Sequence, residues 1–305
     1  MKKLLVFLPG LFLAAVVTAQ QPVQKSLSVK WEELTAPHFV KAVELSGGVC
    51  IIPIGVYEKH ATHLPLGTDM YDVRAVASKA AEKEYAIVFP TYYFSQINEA
   101  RSQPGTIAYS HELIWNVLDE TCSELSRNGL KKIILLCGHG GNPRFLTFWL
   151  ENQLSSPRDY EVVLFENDEP GKDPDPIREQ EIKSLTKATL DGHAGESETS
   201  NMLYLYPELV DKDAINSESG ADQNRLRIPY GTTGNGFNWY ASYPNHYMGD
   251  ASQYSVRLGE LQIAREADQV AELIKYMKSD NTLQQIKDEF FKKAANPLLT
   301  KPFKK

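Results

Sequence analysis

Three short stretches of this 305-residue chain place acids, imidazoles and glycines at spacings suited to metal chemistry. The first is Glu58-x-His60, followed by Asp69, directly after the apolar run Val49–Ile54. The second, Gly138-His139-Gly140-Gly141-Asn142, follows the run Lys132–Cys137. The third leads from Asp191 through His193 to Glu196 and Glu198 and opens a helical pattern. In an extended chain Glu58 and His60 share one face. Carboxylates mixed with imidazoles suit Zn, Mn or Fe and not Ca. Each stretch alone has a plainer reading. Glu58 and His60 could be surface residues, Asp69 a helix cap, His139 a turn histidine, and the paired glutamates an acidic first turn favoured by the helix dipole. The coincidence of Glu58, His60, Asp69 and His139 behind two buried runs is what favours a metal centre.

The elements that must position these residues can be read from periodicity. Val49–Ile54 and Lys132–Cys137 are continuous apolar runs rich in β-branched residues or leucine, the pattern of strands covered on both faces. Shorter strands are expected at Ala86–Pro90 and Glu161–Phe165. Helical spacing covers Asp69–Glu84, with Thr68 or Asp69 as N-cap, and His111–Arg127, closed by Asn128-Gly129. A further helix starts at Pro143 with Asn142 as its N-cap. Glu196–Tyr206 and Gln253–Met277 are also helical, whereas Lys292–Lys305 is expected to fray. Ser217–Asn245, rich in Gly, Asn, Ser and Tyr, is a long irregular segment whose length suggests function or subunit contact. The alternation predicts an α/β fold, a three-layer α/β/α sandwich with a largely parallel central sheet, spanning residues 20–305 as one domain. In such sheets ligands bind at the carboxyl ends of the strands, where the first two motifs fall.

Composition narrows the function. The net charge of −7 argues against a nucleic-acid partner. Residues 1–19 have the basic start, short apolar core and small-residue end of a secretory signal peptide, so an exported protein, periplasmic or secreted, is expected, with no membrane attachment after cleavage. Cys50, Cys122 and Cys137 read as small core residues rather than nucleophiles; a Cys50–Cys137 disulfide is not indicated.

Taken in order, E-x-H…H-L-P-L-G-T-D, G-H-G-G-N and H-A-G-E-x-E-T-S resemble the creatininase (creatinine amidohydrolase) family from about Trp31 to the last long helix. Gln103-Pro104-Gly105-Thr106 and Met248-Gly249-Asp250-Ala251-Ser252 resemble two further family segments. The resemblance implies a metal-dependent amidohydrolase, often hexameric, acting on a small-molecule amide with one or two divalent ions (Zn, Mn or Fe). It makes Glu58, His60, Asp69 and His139 metal ligands, with Asp69 bridging two ions. It makes His193 a catalytic proton shuttle and Glu198 a catalytic carboxylate or metal ligand. Backbone N–H groups of Gly140, Gly141 and Asn142 would steady an oxyanion. Two departures stand out. Enzymes acting on creatinine carry a glutamate where this chain has Gly141, and relatives often show Glu-His where this chain has Glu99-Ala100. The expected reaction is hydrolysis of a cyclic or other non-peptide amide, with creatinine itself uncertain. The alternatives are a small-peptide metallopeptidase and a metal-holding binding protein without turnover.

Overall fold

The structure is a computed structural model that describes residues 27–166, 173–228 and 235–302. The signal-peptide expectation and part of the loop before residue 176 lie outside these residues. Helix α1 (Ala36–Ser46) leads through Gly47 into β1 (Val49–Ile54), every residue of which is buried. Then come α2 (Thr68–Lys83), β2 (Ile87–Val88), α3 (His111–Arg127), β3 (Lys132–Cys137), α4 (Pro143–Glu151) and β4 (Glu161–Phe165). The chain continues through α5 (Pro176–Leu185), β5 (Asp191–His193), α6 (Glu196–Leu205), α7 (Asn238–Ser242), β6 (Met248–Gly249), α8 (Val256–Ser279) and α9 (Thr282–Ala294).

The four main strands form one sheet in the order β2-β1-β3-β4, all parallel. Side chains alternate across the pleat, and the two faces have separate cores. Val49, Ile51, Ile134 and Leu136 pack with α2 and α8, through Val73, Val76, Ile263, Val270 and Ile274. Cys50, Ile52, Ile54, Ile133 and Leu135 pack on the other face with Leu118 and Leu125 of α3 and with Leu146 and Trp149 of α4. The expected three-layer α/β/α arrangement with a parallel sheet is what is found. The second strand is shorter than the run Ala86–Pro90 suggested: Phe89 N still donates to the Ile51 carbonyl, but Pro53 of β1 has no N–H with which to continue the ladder. The three cysteines are free, two of them buried, as expected of core residues.

Three local expectations need correction. Thr68 and Asp69 do not cap α2; Gly67 holds the cap position without a side-chain bond. Asn142 holds the N-cap position of α4 as expected, but its side chain makes no cap bond. Its Oδ1 accepts from Ser95 Oγ (2.6 Å) and Gln96 N (3.0 Å), tying the glycine-rich turn to the segment after β2. Finally, α9 extends into the stretch expected to fray; it buries none of its residues, so no core contact announces it in the sequence.

Two glycines set the distance on which the site depends. A Cβ at Gly55, just past β1, would lie 2.9 Å from Met70 N, and one at Gly138, just past β3, 2.5 Å from Val73 Cβ and 3.1 Å from the Asp69 carbonyl oxygen. Gly138 N also donates to the carbonyl of Ile54 (2.8 Å), locking the two strand exits together. The first turn of α2 is thereby wedged against both exits. Gly138→Ala should force α2 outward and cost roughly 1–3 kcal/mol, the usual scale of overpacking, measured as a lower urea midpoint with an unchanged slope.

Candidate metal centre

The loop after β1 carries Glu58 and His60 back over the sheet edge, the turn after β3 carries His139, and the first turn of α2 supplies Asp69 from below. Glu58 and His60 are fully buried, and Asp69, His139 and His193 nearly so. Left-handed backbone at Ala61, Ala194 and His246, each a non-glycine residue at or beside a site side chain, marks local strain of the kind found at functional sites.

Asp69 is the common member. His60 Nε2 lies 2.9 Å from Asp69 Oδ1 and 3.8 Å from Glu198 Oε2. His139 Nδ1 lies 3.3 Å from Asp69 Oδ2 and 2.7 Å from Glu58 Oε1, neither with hydrogen-bonding geometry. Two sets of three ligand atoms thus share Asp69: Glu58, Asp69 and His139, and His60, Asp69 and Glu198. A third set joins Glu58, His60 and His193. His60 Nδ1 faces the Glu58 carbonyl at 3.2 Å, so with a hydrogen on Nδ1 its Nε2 points into the cluster.

The electrostatics show what the cluster lacks. Burial alone would lower the His60 imidazolium, but the carboxylates of Asp69, Glu198 and Glu58 outweigh it and raise it to about 10. Burial also opposes charge on His139, yet the neighbouring carboxylates of Glu58, Asp69 and Glu99 hold it well above the ordinary histidine value. Glu58, despite burial, is held well below the usual carboxylate range by His139, His193 and His246. Even so, Glu58 Oε1, Asp69 Oδ2 and His139 Nε2 are buried without a hydrogen-bond partner. Leaving such atoms unpaired costs about 1–3 kcal/mol each, more when charged. A divalent cation among mixed O and N donors removes that cost, so the residues present fit a metal of the Zn, Mn or Fe kind.

His193 and Glu198 come to the same place from the β5–α6 turn. The two rings of His60 and His193 lie 4.4 Å apart. His193 Nε2 is 2.9 Å from the Lys59 carbonyl, a bond that only an N–H can make, which leaves Nδ1 facing Glu198 Oε2 at 3.9 Å. Burial lowers the His193 imidazolium, with His60 and His246 adding and Glu58 and Glu198 opposing. Glu198 is the most open member; its Oε2 accepts from Ala194 N at 2.5 Å. In the glycine-rich turn the N–H of Asn142 donates to the His139 carbonyl (3.1 Å), so the oxyanion expectation narrows to Gly140 and Gly141.

The sequence reading missed three residues here. His246 Nε2 sits 2.5 Å from Glu58 Oε2, and Trp239 Nε1 donates to His246 Nδ1 at 2.8 Å. Trp239 lies in the five-residue helix α7 and His246 in the irregular chain after it, both too short for periodicity to announce; the one signal is histidine scarcity, since four of the seven histidines meet around Glu58. The third is Glu99. A Cβ at Gly141 would lie 2.2 Å from Glu99 Oε1 and 2.5 Å from His139 Nε2. The glycine therefore makes room for the Glu99 carboxylate, which stands 3.6 Å from His139 Nε2 and takes a bond from Gln96 Nε2 (2.8 Å).

This combination, a parallel α/β sheet with a buried His/carboxylate cluster at the strand exits, defines a class of metal-capable α/β proteins. The family model described as creatinine amidohydrolase matches residues 32–274, and the chain belongs to the creatininase family. It is 28% identical over 200 residues to a creatinine amidohydrolase of Pseudomonas putida, covering 62% of this chain and 76% of that protein. It is 26% identical over 171 residues to a mycofactocin precursor peptide peptidase of Mycolicibacterium smegmatis, covering 54% of this chain and 61% of that protein. Among solved structures, a zinc–zinc form of a creatininase mutant superposes with a TM-score of 0.66 at 25% identity, covering 83% of this chain and 99% of that one.

One turn along α2 from Asp69, Asp72 makes a stability prediction. Asn201 Nδ2 donates to its Oδ2 (2.7 Å), while Oδ1 is buried and unpartnered. Burial, then Glu266, Glu198 and Asp69, push its carboxyl up to about 8. A folded value above the unfolded one favours the protonated fold, so this contribution is complete below the ordinary aspartate range and is lost as pH rises toward 8. In metal-free protein, Asp72→Asn should gain roughly 1–3 kcal/mol over wild type between pH 4 and pH 8, read from urea unfolding at both pH values.

Proposed function

We propose that this creatininase-family protein hydrolyses a cyclic or other non-peptide C–N amide of a small molecule, using one or two divalent ions held by Glu58, His60, Asp69, His139 and Glu198. The observation that carries the reading is the position of Asp69 in two three-ligand sets, one oxygen toward each. The zinc–zinc relative supports a two-ion centre, with Zn, Mn or Fe all compatible with the donors. Ions bound there would supply Lewis acidity and lower the pKa of water from about 15.7 toward 7.

The chain's own residues account for the rest. His193, held neutral by burial, is set to accept a proton at Nδ1, because its Nε2 hydrogen is committed to the Lys59 carbonyl. Glu198 Oε2 lies 3.9 Å from that nitrogen, where its charge favours the imidazolium once the proton has been taken up. The same imidazole can then return the proton to the leaving nitrogen, so that the C–N bond breaks with that nitrogen departing as an amine and the carbon left as a carboxyl group; such general acid–base transfer is worth about 10²–10⁴ in rate. Glu99 fills the space beside Gly141, where creatinine-cleaving enzymes would carry a glutamate on the turn itself. That difference in the pocket wall supports a substrate other than creatinine. On the sequence reading of residues 1–19 the reaction takes place outside the cytoplasm, and a homo-oligomer, a hexamer by family resemblance, is part of the proposal.

The second reading, a small-peptide metallopeptidase, draws on the mycofactocin peptidase relative. The test is a hydrolysis panel of lactams, cyclic ureas, formamides and short peptides on zinc- and manganese-loaded protein. Turnover of a non-peptide amide is expected, reduced about 10²–10⁴-fold in His193→Ala at unchanged metal content. Turnover of peptides alone, or full activity in His193→Ala, would overturn the proposal.

A further inference from the structure

Behind Glu58 stand two side chains that take no part in the proposed chemistry, the buried His246 and the half-buried Trp239. Trp239, in α7, gives its indole N–H to His246 Nδ1 at 2.8 Å. His246 Nε2 in turn meets Glu58 Oε2 at 2.5 Å. Indole nitrogen is a donor only, so His246 Nδ1 must accept. The ring hydrogen then belongs on Nε2, and it is donated to the carboxylate. One oxygen of Glu58 is consumed by this bond. The other, Oε1, is buried, faces His139 and has no hydrogen-bond partner. His246 itself belongs to none of the three ligand sets. It packs its ring against His193, centroids 4.5 Å apart, and against Trp239 at 5.6 Å. Its backbone is left-handed, at φ 53°, so the chain is strained to hold the ring there.

From this geometry we infer that Trp239 and His246 are positioning residues: the indole fixes the Nε2–H tautomer of His246, and His246 fixes Glu58 so that only Oε1 is presented to a metal. The inference rests on the metal reading above, and it adds a consequence. Trp239 and His246 belong to α7 and the loop between it and β6, whereas Glu58 follows β1. Affinity of the centre for its ion is therefore set in part by a segment that supplies no ligand. Outer residues that orient metal ligands generally matter 10–100-fold in affinity or activity. Loss of the indole N–H leaves His246 Nδ1 without its donor, so the ring keeps only one of the two bonds that hold it against the carboxylate.

Zinc affinity of metal-stripped full-length protein, measured by competition with a chromophoric chelator, tests this without any assay of turnover. His246→Ala should weaken zinc binding about 10–100-fold. Trp239→Phe should weaken it in the same direction, by about threefold or more. His246→Gln, whose amide N–H can reach the same oxygen, should stay within about threefold of wild type. Circular dichroism and urea unfolding of the metal-free variants separate loss of affinity from loss of fold. Independently, ¹⁵N-histidine NMR of the metal-free wild type, with the His246 signals assigned by their absence in His246→Gln, should show hydrogen on Nε2, and in Trp239→Phe the Nδ1 signal should shift as it loses the indole donor. Equal zinc affinity in wild type and folded His246→Ala, damage in His246→Gln as large as in His246→Ala, or hydrogen on Nδ1 in the wild type would each overturn the inference. Failure of wild-type protein to bind zinc or manganese would instead overturn the metal reading and this inference with it.

Discussion

The close approach of α2 to the exits of β1 and β3 is the constraint on which the site depends. With side chains at positions 55 and 138, the helix would ride several tenths of an ångström to ångströms higher, and Asp69 would face a gap. Glycine at both positions lets the first turn settle between the strands. The hydrogen bond from Gly138 to the Ile54 carbonyl then holds the exits in register. Everything the centre needs follows from that placement: one carboxylate between two histidines that reach it from different loops, with its two oxygens pointing to different ligand sets.

Such a cluster is unstable in isolation. Glu58, Asp69 and Glu198 are drawn into a buried site where their charge is expensive to desolvate. In the metal-free chain the neighbouring imidazoles carry the compensating charge, as the high value of His60 shows. Protons thus occupy the role that the proposed cations would take, and unpartnered oxygens on Glu58 and Asp69 remain. His193 is the exception in the group. Burial keeps it neutral, which suits a side chain that moves protons better than one that only balances charge.

Much of this was legible in the sequence because the sheet is regular. The apolar runs of β1 and β3 declare themselves, and parallel topology places the loops after them on one edge, so Glu58, His60, Asp69 and His139 could be named from position alone. Asp69 was named for two roles, ligand and cap, and the cap role fails because Gly67 occupies that position. Asn142 does hold the N-cap position of α4, but its side chain serves the loop after β2 rather than the helix. His246, Trp239 and Glu99 were beyond reach. They sit in chain without period, and what brings them to the site is tertiary packing over separations such as the 188 residues between Glu58 and His246. Gly141 looked like a missing carboxylate; only the fold reveals that Glu99 stands in that space.

The central claim is that Asp69 is shared between two metal positions. Anomalous diffraction at the zinc edge, from crystals of protein reconstituted with zinc, tests it most directly. The account expects two peaks flanking the Asp69 carboxylate, one bounded by Glu58 and His139 and the other by His60 and Glu198. A single peak among Glu58, His60 and His193, or no peak within ligand distance of Asp69, would contradict it.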